Sequence, residues 1–342
     1  MPSLFLMRTL RTLICLITFA FALYSCDDNP HAIDVSGIEA EVDIQRFDQQ
    51  LFEWTALSFR QEAPQVKSQF PGFYKHYFED VINIGNAEDS ALFNSIRLFI
   101  NDPSIQQLHQ SVQVKYPTLN QVEEQIESGW KHYKYYFPNT EVPNHLAFVG
   151  TLGTNVMVTD NEVGIGLDAY LGPKEEIYDL AQIPIFQRNK MIPERIPSDV
   201  IYAWMQTEFV LQNEQPTLLE VIVHEGRLLY ALEACFPELA DSLKIGYTAA
   251  QMQWANSFEK DVWTFFIDNE VLFKKDYQTV TKYVSEGPFT TDFAKESPAR
   301  MGVFIGWQIV RSYMENHPDQ DLKDLMALND AQIILSESKY KP

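Results

Sequence analysis

The residues best suited to chemistry lie in the stretch Val221-Ile-Val-His224-Glu225-Gly-Arg-Leu228. A His-Glu pair on a helix invites comparison with the His-Glu-x-x-His zinc helix. There, two imidazoles one turn apart grip one metal and the Glu activates its water. Here the second ligand position is Leu228. Glu270 could take the place of the downstream Glu ligand of such enzymes, but that supplies only two protein donors, and the rest of the chain has no paired ligands at helical spacing. The expectation is therefore no metal and no catalytic residue. His224 and Glu225 read as a remnant, with Glu225 capping or pairing with an arginine. A zinc-dependent metallopeptidase using His224 and Glu225 is the alternative.

Other catalytic signatures are missing. Gly153 and Gly164 lie in glycine-containing stretches without the strand, turn and helix context of a dinucleotide site, and there is no G-x-S-x-G elbow or P-loop. Cys235 follows Leu228 and Leu232 at helical spacing, which predicts a small buried hydrophobe rather than a reactive thiol.

Three helices must position these groups. The first opens on Thr217 and Glu220, a capping-box spacing, and runs to about Phe236 before Pro237. Val221, Leu228, Leu229 and Leu232 form its apolar stripe, with Glu225 near the centre and His224 at the edge. The second starts at Thr248 with Gln251 and is expected to reach Phe273, which puts Asn269 in the stripe and Glu270 beside it. The third is expected to begin at Ser297-Pro298, cap and first helical position, and to end at Asn316. Apolar residues on two of its faces make it central, and Gly302 and Gly306, four apart, would let a neighbouring backbone approach closely. Arg300 and Arg311 flank Trp307 on one of those faces. A charge in a packed layer needs a partner, and Glu225 and Glu270 are the candidates.

Upstream, segments 58–80, 88–100, 103–115 and 119–136 read as helices, several closed by an aromatic residue and Pro. Short strands are expected around Val42 to Ile44, Leu146 to Gly153 and Asn155 to Gly172, with a hairpin turn over Thr159 to Glu162. The fold class is α+β, predominantly helical with a small antiparallel or mixed sheet, in one globular domain over 39–342.

The first residues set the compartment. Arg8 and Arg11 precede an uncharged run from Thr12 to Ser25, too short to cross a hydrocarbon core of ~30 Å as a helix, so residues 1–25 read as a signal peptide. The run ends in Leu23-Tyr24-Ser25-Cys26, which looks like a bacterial lipobox with Cys26 as the lipidation site. Multiple acyl chains hold permanently. Residues 26–38 form a polar tether able to lift the body up to ~40 Å. The 342-residue chain carries 26 basic and 47 acidic residues, a net charge of −21, which excludes nucleic acid and anionic lipid surfaces as electrostatic partners. The membrane is reached through the lipid alone, and the place is the cell envelope, at either the inner or the outer membrane.

Several blocks resemble the gliding-motility lipoprotein GldB family of Bacteroidetes. They include Asp43-Ile-Gln-Arg46-Phe47-Asp48, His132-Tyr-Lys-Tyr-Tyr-Phe-Pro138, Gly166-Leu-Asp168-Ala-Tyr170-Leu-Gly172, Lys244-Ile-Gly-Tyr247-Thr, Phe266-Ile-Asp-Asn-Glu270, the stretch from Ser297 to Asn316, and Ser338-Lys-Tyr-Lys-Pro342. The resemblance implies an envelope lipoprotein associated with gliding and the linked type IX secretion machinery, with other envelope proteins as partners. By fold-level analogy it also implies a distant zinc-metallopeptidase-like ancestry with a degenerate metal helix. A pseudoenzyme acting by protein–protein contact is the reading. Its further alternative, a solute- or peptide-binding lipoprotein, would need a closed apolar pocket with convergent polar groups.

Overall fold

The computed structural model describes residues 30–342. The expected signal peptide and Cys26 lie outside the described residues. The chain divides into two units, Met1–Asp34 and Val35–Pro342, and the helices and strands among the described residues belong to the second.

In chain order, β1 (Ile44–Arg46) leads into α1 (Phe47–Glu53), α2 (Ala56–Gln69), α3 (Pro71–His76, continued by a π turn over Tyr77–Val81), α4 (Leu92–Ile100), α5 (Pro103–Lys115) and α6 (Asn120–Tyr136). The helix expected over 58–80 is two, because Pro71 removes an amide and turns the preceding Phe70 out of the helical region. Next come β2 (Asn144–Phe148), β3 (Val156–Val158) and β4 (Glu162–Gly166), closed by a 3₁₀ turn over Leu167–Tyr170.

The sheet is mixed, in the order β1-β2-β4-β3. β2 pairs in parallel with β1 and β4, and β3 returns antiparallel along β4 through the expected turn, where Thr159 N–H donates to the Glu162 carbonyl at 2.9 Å. Alternation along β2 divides the interior. Leu146 and Phe148 face a smaller core built with Phe47, Phe73, Tyr77 and Phe78, while Ala147 and Val149 face the larger core of the C-terminal helices. Gly164 and Gly166 of β4 leave room for the rings on the first side. A Cβ at Gly164 would stand 3.1 Å from both Phe148 and Phe73, so the Gly-Ile-Gly of the sequence serves packing.

The remaining chain is helical, with loops between: α7 (Glu176–Leu180), α8 (Ile185–Arg188), α9 (Ile196–Glu208), α10 (Leu218–Cys235), α11 (Asp241–Ile245), α12 (Ala249–Asp268), α13 (Tyr277–Val284), α14 (Met301–Asn316), α15 (Leu322–Ala327) and α16 (Ala331–Ser338). Capping boxes open α10 at Thr217/Glu220 and α12 at Thr248/Gln251. The tightest contact in the body joins α10 to α14. A Cβ on Gly306 would fall 1.8 Å from the Ile222 carbonyl oxygen, and one on Gly226 would fall 2.4 Å from the Gly306 oxygen. Gly302 and Gly306 thus admit a neighbouring backbone, and the reciprocal glycine is Gly226.

Two expected boundaries move. Helix α14 begins at Met301 rather than at Ser297-Pro298, because Arg300 adopts a left-handed conformation (φ 60°) and the two preceding polar groups are used elsewhere. The Ser297 hydroxyl accepts from Thr290 N–H at 3.3 Å, and the Pro298 carbonyl accepts from the Thr290 hydroxyl at 2.9 Å. Helix α12 ends at Asp268 rather than at Phe273. Glu270 is left-handed (φ 51°), its N–H returns to the Ile267 carbonyl, and Val271 N–H returns to that of Phe266, which is a Schellman closure.

Candidate functional site

His224 and Glu225, adjacent in sequence, project about 100° apart on α10 and meet different partners. Glu225 points toward α9 and the start of α14. Its Oε2 accepts from the Tyr202 hydroxyl at 2.5 Å and faces Arg300 Nη2 at 3.5 Å. Burial, with the Glu225 charge beside it, holds the Tyr202 phenol well above its usual pKa, so it stays a donor.

Arg300 is the hub of a larger cluster. Its Nη1 donates to the Ile245 carbonyl at the end of α11 at 3.1 Å and faces Glu286 at 3.4 Å. Glu286 sits in the loop after α13 and also receives Lys190 from the segment before α9. Nearby, Arg195 holds Asp199 at 2.6 Å and the Leu243 carbonyl at 3.1 Å, and the Tyr170 hydroxyl donates to Asp199 at 2.9 Å. Three cations and three carboxylates from five parts of the chain therefore share one region, and most are shielded from solvent. Burial pulls Lys190 down to about 8 against the opposing effect of Glu286, with Arg300 and Arg195 adding to the fall. Burial would raise the Glu286 carboxyl, but Arg300, Lys190 and Arg195 outweigh it and hold the group below its ordinary value.

His224 turns the other way. Its Nδ1 lies 3.4 Å from Nη2 of Arg227, and burial together with that cation lowers its pKa. Arg227 is itself buried, and its Nη1 reaches carbonyls at the end of α15 and just beyond, Met326 at 3.2 Å and Leu328 closer still. The position one turn beyond His224 is the fully buried Leu228. A lone imidazole beside a guanidinium, with the adjacent carboxylate taken up by a tyrosine and an arginine, is a donor set that does not fit a zinc ion. Among the described residues no group of three or more His, Cys, Asp and Glu is arranged to hold a metal.

Of the residues singled out in the sequence, the structure brings Glu225 and Arg300 together and leaves three apart from them. Arg311 stacks on Trp307, its guanidinium 4.0 Å from the ring centre, and pairs with Glu233 at 2.8 Å and Asp241 at 2.6 Å. Asn269 closes α12 by donating to the Phe265 carbonyl at 2.9 Å, and Glu270 follows it; both are exposed. The expectation of Glu270 as an arginine's partner is thus corrected, since the Schellman turn carries it off the helix face. Tyr202, Glu233, Arg227, Lys190 and Glu286 were not anticipated. The Arg195/Asp199 spacing of four was a legible signal, whereas Lys190 and Glu286 reach the cluster from irregular segments whose sequence has no periodicity to read.

Open concavities lie elsewhere. One of about 940 Å³ is bordered by Glu39, Glu127, Lys131, Lys134 and Thr140, another of about 480 Å³ by Tyr136, Asp160, Trp204, Glu208 and Lys323, and one of about 740 Å³ adjoins the latter through Asp160, Trp204 and Glu208.

The family model for gliding motility protein GldB matches residues 28–342, nearly the whole chain. The chain belongs to the GldB family. No curated protein and no solved structure matches it significantly. In this GldB-family chain the sequence blocks behind the resemblance map onto the geometry just described: Tyr170 and Arg300 are two ends of the charged cluster, and Asp168 anchors the turn after β4. Asp168 is fully buried and accepts from the amides of Gly150 and Leu152, each at 2.9 Å. Among the described residues no helix is long and apolar enough to cross a membrane.

Proposed function

We propose that this GldB-family protein is lipid-anchored in the cell envelope through Cys26 and serves gliding motility and the linked type IX secretion machinery by contact with other envelope proteins, as a pseudoenzyme. The observation that carries the reading is the state of Glu225. A carboxylate that activates metal-bound water sits beside that metal, whereas Glu225 accepts a 2.5 Å hydrogen bond from Tyr202 and faces Arg300 through the same oxygen. With Leu228 in the ligand position, the helix keeps the outline of a metal site and uses its polar residues to join α9, α10 and α14. The contact face includes the surface over the His224 helix, where His224 itself is half-buried.

Two measurements test this. Metal analysis and peptidase assays on the purified full-length protein are expected to give no stoichiometric zinc and no hydrolysis. Bound zinc with activity lost in Glu225→Gln would replace the proposal with the metallopeptidase. Affinity capture from membranes at native expression should recover envelope components of the motility or secretion apparatus, and their absence would count against a contact role.

A further inference from the structure

The two concavities that meet at Trp204 are unevenly charged. Four carboxylates border them, Glu141, Asp160, Glu162 and Glu208, against one lysine, Lys323, and no arginine. His76, also on the border, is held by Asp80 at 2.5 Å. None of the four carboxylates forms an ion pair among the described residues. Three of them are exposed, as acids on a chain of net charge −21 usually are.

Glu162 is different. It opens β4 and is 6% exposed, yet it lines the 740 Å³ concavity. Its carboxylate receives a hydrogen bond from the Thr159 hydroxyl at Oε2, and Oε1 receives none among the described residues. Gly72, at the start of α3, makes room for it, since a Cβ there would stand 2.7 Å from Oε2. A carboxylate taken out of water without a cation is costly, and one on the wall of an open cavity keeps a place where a cation can arrive.

The arrangement favours an organic cation over a metal ion. No three His, Cys, Asp or Glu side chains among the described residues converge to hold a metal. The acids are instead spread along a trough, because the two concavities share Asp160, Asn161, Trp204 and Glu208. Tyr136, Phe137 and Trp204 border it as well. A guanidinium takes carboxylates as a planar fork and stacks on aromatic faces, so dispersed acids beside aromatic rings suit arginine.

We propose that this trough binds a basic, arginine-bearing segment of a partner protein, with one guanidinium seated against Glu162 and others along Asp160, Glu208 and Glu141. This deepens the contact reading by naming a surface and the partner's chemistry, and rests on that reading only for who owns the segment. The long-range field has the right sign, because a chain of net charge −21 draws basic segments toward it. Lys323 opposes the incoming charge at one end of the trough.

The test is fluorescence anisotropy of a labelled, blocked triarginine peptide on the purified full-length protein in detergent. A tricitrulline peptide, close in shape and uncharged, is the control. Physiological ionic strength screens surface charges beyond about 8 Å. Glu162→Gln is expected to weaken triarginine binding about tenfold or more, and Lys323→Gln to tighten it about two- to fivefold. Glu124→Gln, an exposed carboxylate at the opposite end of α6 from Tyr136, should leave native affinity. Native affinity in folded Glu162→Gln overturns the proposal. Should that variant not fold, Glu208→Gln, exposed at the end of α9, carries the test with an expected loss of about two- to fivefold, and native affinity there overturns it. Equal weakening by Glu124→Gln, or equal binding of tricitrulline, does the same. Stoichiometric calcium in a calorimetric titration, lost in Glu162→Gln, would make this a metal site and likewise overturn it. Because only purified components are used, failure here is separable from failure of the membrane capture experiment.

Discussion

The Tyr202 hydroxyl lies 2.5 Å from Glu225 Oε2, and Arg300 Nη2 approaches the same oxygen at 3.5 Å. One carboxylate oxygen thereby joins helices α9 and α10 to the residue that immediately precedes α14.

The first prediction concerns that triad. Removing one member of a buried pair leaves the other charge uncompensated, a loss of about 3–5 kcal/mol when burial is complete. Side-chain exposures of 14% for Arg300 and 20% for Glu225 reduce this, so Arg300→Met is expected to cost about 2–3 kcal/mol and Glu225→Gln, which keeps an acceptor for Tyr202, about 1–2 kcal/mol. Urea denaturation of both single variants and the double variant should give a coupling of at least about 0.5 kcal/mol. Strict additivity would mean that the two groups do not interact.

The glycines at the α10–α14 contact should rank by the space around them. Gly306→Ala puts a methyl 1.8 Å from a backbone oxygen and Gly226→Ala puts one 2.4 Å from another, while at Gly302 the nearest atom is 2.9 Å away. All three nearest atoms are backbone oxygens, which cannot swing aside as a side chain can, so the loss is expected to follow the distance: about 3 kcal/mol or more for the first two and about 1–2 kcal/mol for Gly302→Ala. Thermal unfolding checks the order.

Two buried groups should pull the pH dependence in opposite directions. Burial raises Asp168 from 3.8 to about 6, against the lowering effect of the Gly150 and Leu152 amides. Its folded form holds a proton longer than its unfolded form, so its stabilising contribution is complete below about pH 4 and is lost as pH rises through 6. Burial lowers His145 from 6.5 to about 4, and its Nε2 accepts from Trp130 at 3.1 Å. That contribution is complete above pH 6.5 and is lost as pH falls toward 4. Each is about 3 kcal/mol by linkage. The native chain should therefore show a shallow profile between pH 4 and 6, while Asp168→Asn should become more acid-sensitive and His145→Gln less so. Parallel shifts in both variants would refute the assignment.

Arg227 should matter to the C-terminal region more than to the surface near His224. Arg227→Met leaves the carbonyls of Met326 and Leu328 without their donor, an expected loss of about 1–3 kcal/mol. Hydrogen exchange should rise at α15 and in the turn that follows it, with α1 to α4 unchanged. Uniform acceleration across the chain would mean that this anchor is not local.

Much of the architecture follows from local sequence. Thr217/Glu220 and Thr248/Gln251 open helices because a side chain can satisfy end amides within four residues, and Val156 to Gly166 forms the expected hairpin for a similarly local reason. Gly302 and Gly306 announce a close helix contact through their lack of side chains. What tertiary structure alone decided was pairing. Glu225 finds Tyr202 and Arg300, Arg311 finds Glu233, and Glu286 reaches Arg300 and Lys190, across separations from 14 to 96 residues. A charge states that it needs a partner, but which one it meets depends on where helices end. One left-handed residue, at Glu270 or at Arg300, redirects a side chain, and helical periodicity does not register that change.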